Sequence, residues 1–257
     1  MWLMRKLMRA VAVLVLIGGV STLSACDSGS EKSGPVINVY AAASLKGAFT
    51  ALAERYQKDN PGADVQFNFA GSSSLVEQLT QGAKADVFAS ADANNMTKAA
   101  KAGLLAHTPA NFASNTLVIV TRPGNPKQLN NFGDLARPGV NVVVCAPQVP
   151  CGTATRKVEK MAGVELKPVS EETSVTDVLN KVTSGQADAG VVYETDAKVA
   201  GDKVAKVDFP QAASAVNVYP IAVLKSAADA AAAQRFVDLV MGDVGRQTLA
   251  QFGFTKP

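Results

Sequence analysis

The sequence predicts an α/β fold with largely parallel sheets. Three observations carry that prediction. Short runs rich in β-branched and apolar residues alternate with segments whose apolar residues recur at helical spacing. The junctions between them hold serine, threonine, aspartate or glycine, the residues that start and stop helices. A chain of 257 residues with 47% apolar content also has enough material for buried cores in two modest lobes, which excludes a disordered chain.

Each element follows from its own pattern. Residues 36–40 form a short β-rich run that closes on Ala41, Ala42 and Ala43. Beyond Ser44, placed as an N-cap, Leu45, Ala48, Phe49, Leu52, Ala53 and Tyr56 mark one helix face. Residues 64–70 read as a second strand, followed by Gly71 and three serines. Leu75, Val76 and Leu79 open the next helix, with Ser74 and Glu77 spaced as a capping box. Residues 86–89 make a third strand, and Asp92 caps a helix that ends near Gly103. Residues 115–120 form a strongly apolar strand; Arg122-Pro123-Gly124-Asn125-Pro126 then reads as a crossing between lobes. Residues 140–144 are the next strand, leading into a helix with Ala154, Val158, Met161 and Ala162 on one face. A further helix carries Val175, Val178, Leu179 and Val182 and stops at Gly185. Residues 189–193 are a strand, capped onward by Thr195 or Asp196. Residues 218–224 are the last strand, before two C-terminal helices. No internal sequence repeat is evident.

The first 25 residues stand apart. They are basic at Arg5, Lys6 and Arg9, apolar over 10–20 and small over 21–25, the order of a secretory signal. The apolar run is short for a membrane span. Those three cations account for the whole net charge of +3, so the rest of the chain is neutral. A global basic field for nucleic acid or an anionic membrane is excluded. The signal ends in Leu23-Ser24-Ala25-Cys26, which resembles a bacterial lipobox and implies a lipidated Cys26 as first mature residue. Residues 26–35 read as a flexible polar tether. In an oxidising compartment the remaining pair, Cys145 and Cys151, favours a disulfide; a redox pair is the alternative, although the spacing is not Cys-x-x-Cys.

The chain lacks the phosphate loop, the dinucleotide fingerprint, the zinc-protease helix motif and the serine nucleophile elbow. The one histidine, His107, stands in a turn without a flanking acid, so an enzyme is the weaker class. The strand-to-helix turns are rich in donors instead. Ser44, Ser72, the Pro150-Cys151-Gly152-Thr153 turn and Ser174-Val175 all sit at helix starts, and Tyr193 ends a strand. Free N–H groups and the positive end of the helix dipole suit an anion there. Ser74 is the better cap of its trio, which leaves Ser72 less explained by capping.

Ala41-Ala42-Ala43-Ser44-Leu45, Phe69-Ala70-Gly71-Ser72-Ser73-Ser74-Leu75 and Ala85-Asp86-Val87-Phe88-Ala89-Ser90-Ala91-Asp92 resemble the molybdate-binding proteins of ABC importers. So do Val149-Pro150-Cys151-Gly152, Gly190-Val191-Val192-Tyr193 and Phe252-Gly253-Phe254, in the family's order. The resemblance implies a two-lobed periplasmic-binding-protein-like fold with a ligand cleft at the hinge. Lobe 1 would comprise residues 36–117 and 218–257, and lobe 2 residues 118–217. It implies five oxyanion ligands: Ser44 and Ser72 through hydroxyl and N–H, Cys151 and Val175 through N–H, and Tyr193 through its hydroxyl. Cys151 replaces the family's usual alanine, a change that a backbone donor tolerates. The implied partners are molybdate or tungstate and the importer's permease with its ATPase. The resemblance implies no cofactor, no nucleic acid, and no metal except the molybdenum of the bound oxyanion. The protein would be a monomer, anchored by lipid outside the cytoplasm. A shell of neutral donors suits a fully deprotonated dianion and disfavours phosphate, which keeps a proton near neutral pH and wants an acceptor. A sulfate or other oxyanion receptor is the alternative; a serine hydrolase or thiol-redox lipoprotein stands further off.

Overall fold

The computed structural model describes residues 34–257. The expected leader, Cys26 and the tether up to residue 33 lie outside the described residues. Strand β1 (Val36–Ala42) pairs in parallel with β2 (Asp64–Ala70) on one side and β3 (Val87–Ala89) on the other. Strand β10 (Asn217–Val223) runs antiparallel to β3, and β4 (Ala110–Asn115) antiparallel to β10. The second sheet repeats this plan. Strand β6 (Val142–Cys145) lies in parallel between β7 (Ser170–Glu172) and β8 (Ala189–Tyr193). Strand β5 (Leu117–Thr121) is antiparallel to β8, and β9 (Ala205–Val207) antiparallel to β5. The two sheets thus share one topology that no sequence repeat betrays.

Each sheet is therefore mixed: one strand, β10 in the first and β5 in the second, runs against the other four. The parallel strands point their carboxyl ends at the space between the sheets. Strands β5 and β10 each begin at that space, after the chain has crossed, and so must run the opposite way. The crossings are Thr116, between β4 and β5, and Val216, before β10. Leu117 already pairs with Tyr193 in the second sheet, and Asn217 with Asn115 in the first. Each lies one residue from the expected division. The Pro/Gly passage at 122–126 is not a crossing: it follows β5 and turns within the second lobe, with Asn125 at φ 48° and Gly124 at φ 76°. The apolar stretch read as a strand from 115 is likewise interrupted at Thr116. Strand β4 escapes the sequence pattern because its buried residues include Ser114 and Asn115.

Helices cover the first sheet as α1 (Lys46–Asp59), α2 (Ser72–Thr80), α3 (Ala93–Lys101), α7 (Ala230–Met241) and α8 (Asp243–Gln251). The second carries α4 (Pro150–Ala162), α5 (Val175–Thr183) and α6 (Glu194–Ala200). The predicted face of α1 is buried, and Phe49 meets Phe112 and Phe236 at ring-centroid distances of 5.8 and 6.0 Å. Such contacts add to the burial of large apolar area that holds the lobe. On α4 the expected stripe is wrong at one position: Met161 is 66% exposed, and Thr155 and Glu159 are buried beside Ala154 and Val158 instead. Glu159 is accommodated because its carboxylate accepts the Leu166 N–H at 2.8 Å and pairs with Arg156 at 3.1 Å.

Candidate functional site

The carboxyl ends of the parallel strands meet between the lobes, where open α/β sheets bind ligands. Ser44 and Ser72 come from the first lobe, and Cys151, Val175 and Tyr193 from the second. All five line one small cavity of about 10 Å³, together with Ala42, Ala43, Gly71, Ala91, Val149 and Pro150. Sites for drug-sized ligands run to about 300–1,000 Å³, so this space suits a small ion rather than an organic metabolite. No charged side chain is among these lining residues.

Each donor owes its position to local chemistry. Ser44 does not cap α1. Strand β1 runs straight into a 3-10 turn, Ala43–Leu45, and the Ser44 hydroxyl lies 2.9 Å from the hydroxyl of Tyr219. The capping box of Ser74 and Glu77 does not form either. Helix α2 starts three residues earlier, after Gly71, without any side-chain cap. Its first residue, Ser72, is 1% exposed, and its Oγ accepts the Ala91 N–H at 3.0 Å. With that acceptor site filled, the Ser72 proton is left for the cavity.

Helix α4 opens with Pro150, which suits the first helical position because it has no N–H to leave unpaired. Cys151 follows, bonded to Cys145, so the disulfide ties the end of β6 to the start of α4. The Cys151 N–H lies in the first turn, where the helix offers no carbonyl. Helix α5 is capped as its spacing suggests: Ser174 Oγ accepts the Asp177 N–H at 3.2 Å. That bond leaves the N–H of Val175 without a capping partner. Three helix starts, those of α2, α4 and α5, thus converge on one small space, and their dipoles make it favourable for negative charge.

Tyr193 is 1% exposed, yet its hydroxyl has no hydrogen-bond partner among the described residues. A buried hydroxyl without a partner costs free energy unless something else accepts from it. Burial holds this phenol well above its ordinary pKa, with Tyr219, Asp92 and Asp196 adding to the effect. It therefore remains a donor. Asp196 accepts the Tyr193 N–H at 3.0 Å, and burial pushes its own pKa up to about 7.

Sequence reasoning missed the residues behind the donors. Ala91, Tyr219 and Asn115 orient the serines; Ala91 lies in the motif that ends at Asp92, but nothing in it marks a partner for Ser72, and no spacing or motif distinguishes Tyr219 and Asn115 from ordinary strand residues. It also missed the contact between Gly71 and Thr173, where the two lobes touch: a methyl group on Gly71 would lie 2.1 Å from the Thr173 carbonyl oxygen. His107 is exposed, and among the described residues no group of three or more His, Cys, Asp or Glu is placed to hold a metal ion.

A small, uncharged, donor-lined cavity between two α/β lobes defines a binding protein for a small anion. Residues 37–255 match the family of bacterial extracellular solute-binding proteins. The chain is 57% identical over 246 residues to the molybdate-binding protein ModA of Mycobacterium tuberculosis, covering 93% of this chain and 94% of that one. The structure is similar to the periplasmic molybdate-binding protein of Azotobacter vinelandii, with a TM-score of 0.76, 25% identity, and coverage of 86% and 99%. A sulfate-binding protein of Synechococcus elongatus is more distant, 25% identical over 293 residues, covering 98% of this chain and 83% of that protein. The chain belongs to the bacterial extracellular solute-binding proteins, which are non-enzymatic components of transport.

Proposed function

We propose that this protein captures molybdate, and tungstate with it, outside the cytoplasm and hands it to an ABC importer. The observation that carries the proposal is the donor set. Two serine hydroxyls have a protein hydrogen-bond partner behind them, a buried tyrosine hydroxyl has none among the described residues, and helix N–H groups complete the wall. A tetrahedral dianion that accepts hydrogen bonds and offers none satisfies every one of these groups. Ser44, Ser72, Cys151, Val175 and Tyr193 are the proposed ligands; the hydroxyls of the serines and tyrosine and all but the tyrosine backbone N–H serve as donors. No cofactor is needed, because the oxyanion itself is the cargo.

The similarity to mycobacterial ModA supports the choice of ion. The two crossings, at Thr116 and Val216, support a hinge between lobe 1 (36–115 with 217–257) and lobe 2 (117–215). We further propose that Cys26 carries a lipid, that residues 26–35 tether the lobes to the membrane, and that the protein acts as a monomer. Among the described residues no helix is long and apolar enough to cross a membrane. Calorimetric titration of the chain from residue 27 onward with molybdate, tungstate, sulfate and phosphate tests the proposal. Tight one-to-one binding of the first two, with weak sulfate, is expected. Preference for sulfate would change the cargo, and no binding of any oxyanion would overturn the proposal.

A further inference from the structure

Behind the cavity lies a hydrogen-bond chain that the five ligands do not account for. The crossing residue Thr116 donates its N–H to Asn115 Oδ1 at 3.1 Å, which sets the orientation of that amide. Its Nδ2 then faces Thr195 Oγ1 at 2.8 Å, in the second lobe, and the Tyr219 hydroxyl at 3.4 Å. Tyr219 is wholly buried and its hydroxyl is 2.9 Å from Ser44 Oγ. An amide nitrogen only donates, so the Tyr219 oxygen accepts from Asn115 and its own proton is directed to Ser44. Ser44 Oγ then accepts, and its proton is left to point into the cavity.

We propose that Tyr219 is a positioning residue that, under the direction of Asn115, holds Ser44 as an obligate hydrogen-bond donor to the bound oxyanion. This inference rests on the oxyanion-binding function proposed above. Ser72 reaches the same state by a simpler route, because the Ala91 N–H behind it can only donate. Both serines then present protons, so an ion that carries a proton of its own meets donors rather than acceptors there. Tyr219 thereby contributes to discrimination between a fully deprotonated dianion and hydrogen phosphate. Its ring also packs against Phe254, Phe112 and Tyr193 at 5.3, 6.2 and 6.1 Å, a role that phenylalanine would fill equally well.

The test is a double-mutant cycle on Tyr219→Phe and Ser44→Ala, titrated calorimetrically with molybdate and with phosphate. Tyr219→Phe is expected to weaken molybdate about tenfold, the effect of disturbing one hydrogen bond to a charged ligand. It should also narrow the preference for molybdate over phosphate, since Ser44 Oγ gains a free acceptor site. In the Ser44→Ala background the same change should cost less than about twofold, because the group it positions is gone. Asn115→Ala should show the same pattern with a smaller loss, and thermal unfolding of each variant checks that it folds. Equal losses from Tyr219→Phe with and without Ser44, or an unchanged preference, would overturn the relay while leaving the function intact. A wild-type protein that binds no tetrahedral oxyanion would overturn the function and the relay with it.

Discussion

Tyr193 and Asp196 are neighbours in the fold, and burial favours the protonated form of both. The Tyr193 hydroxyl lacks a partner among the described residues, so its removal should cost the free protein little. Tyr193→Phe is expected to leave the thermal midpoint of the ligand-free protein unchanged or slightly raised. It should weaken molybdate binding by about 1.5–3 kcal/mol, the range for a hydrogen bond to a charged partner. A titration and an unfolding scan on the same sample check both halves. Asp196 is stable as a neutral acid: its pKa rises from 3.8 to about 7 because burial penalises the charge. The folded state then holds a proton that the unfolded state has released. Stability is fully present below about pH 4 and falls as pH rises towards 7, by about 4 kcal/mol in all from this group. Asp196→Asn keeps the acceptor for the Tyr193 N–H and should flatten that part of the pH profile, as urea unfolding between pH 4 and 8 would show.

At the scale of elements, two short segments set how the lobes meet. Gly71 has φ −61° and ψ 138°, values any residue adopts, so its backbone does not require glycine. Its space does, because the Thr173 carbonyl of the other lobe lies where a side chain would be. Gly71→Ala is expected to hold the lobes apart and weaken the oxyanion by at least about tenfold, as removing well-formed hydrogen bonds does. Small-angle scattering should then show less compaction on adding molybdate than the wild type shows. The loop from Cys145 to Cys151 is held differently. Only the N–H of Cys151 faces the ligand in the proposed site, so replacing both cysteines by alanine should change molybdate affinity only a fewfold. Loss of the cross-link should still lower stability by about 2 kcal/mol, the chain-entropy value for so short a loop. Comparing thermal midpoints and titrations of the two proteins separates these effects.

For the whole molecule, an ion held between two lobes stabilises both at once. Free molybdate at one hundred times its dissociation constant should add about 2.7 kcal/mol to the free energy of unfolding. A thermal shift that grows with molybdate, and is absent with phosphate at the same concentration, is the expected result. The chain beyond the leader is neutral overall, so long-range attraction contributes little to capture. The short-range donors and the convergent starts of α2, α4 and α5 do the binding.

Local patterning made much of this protein legible. The α1 stripe, the run that became β8 and the capped start of α5 were all readable, because periodicity and caps depend on neighbours in sequence. The ligand candidates were readable through resemblance: Ser44, Ser72, Cys151, Val175 and Tyr193 sit in short motifs whose order is retained. Capping chemistry by itself misassigned Ser44 and Ser74, since a serine before a helix looks the same whether it bonds the helix or a tyrosine 175 residues away. Tertiary structure alone decided that Thr116 rather than the Pro/Gly passage is a crossing, that Met161 faces water, and that β5 and β10 run against their sheets. It also placed Ala91 behind Ser72, Tyr219 behind Ser44 and Thr173 against Gly71. Those contacts join residues far apart in the chain, and their energies depend on burial and direction, which the order of residues does not encode locally.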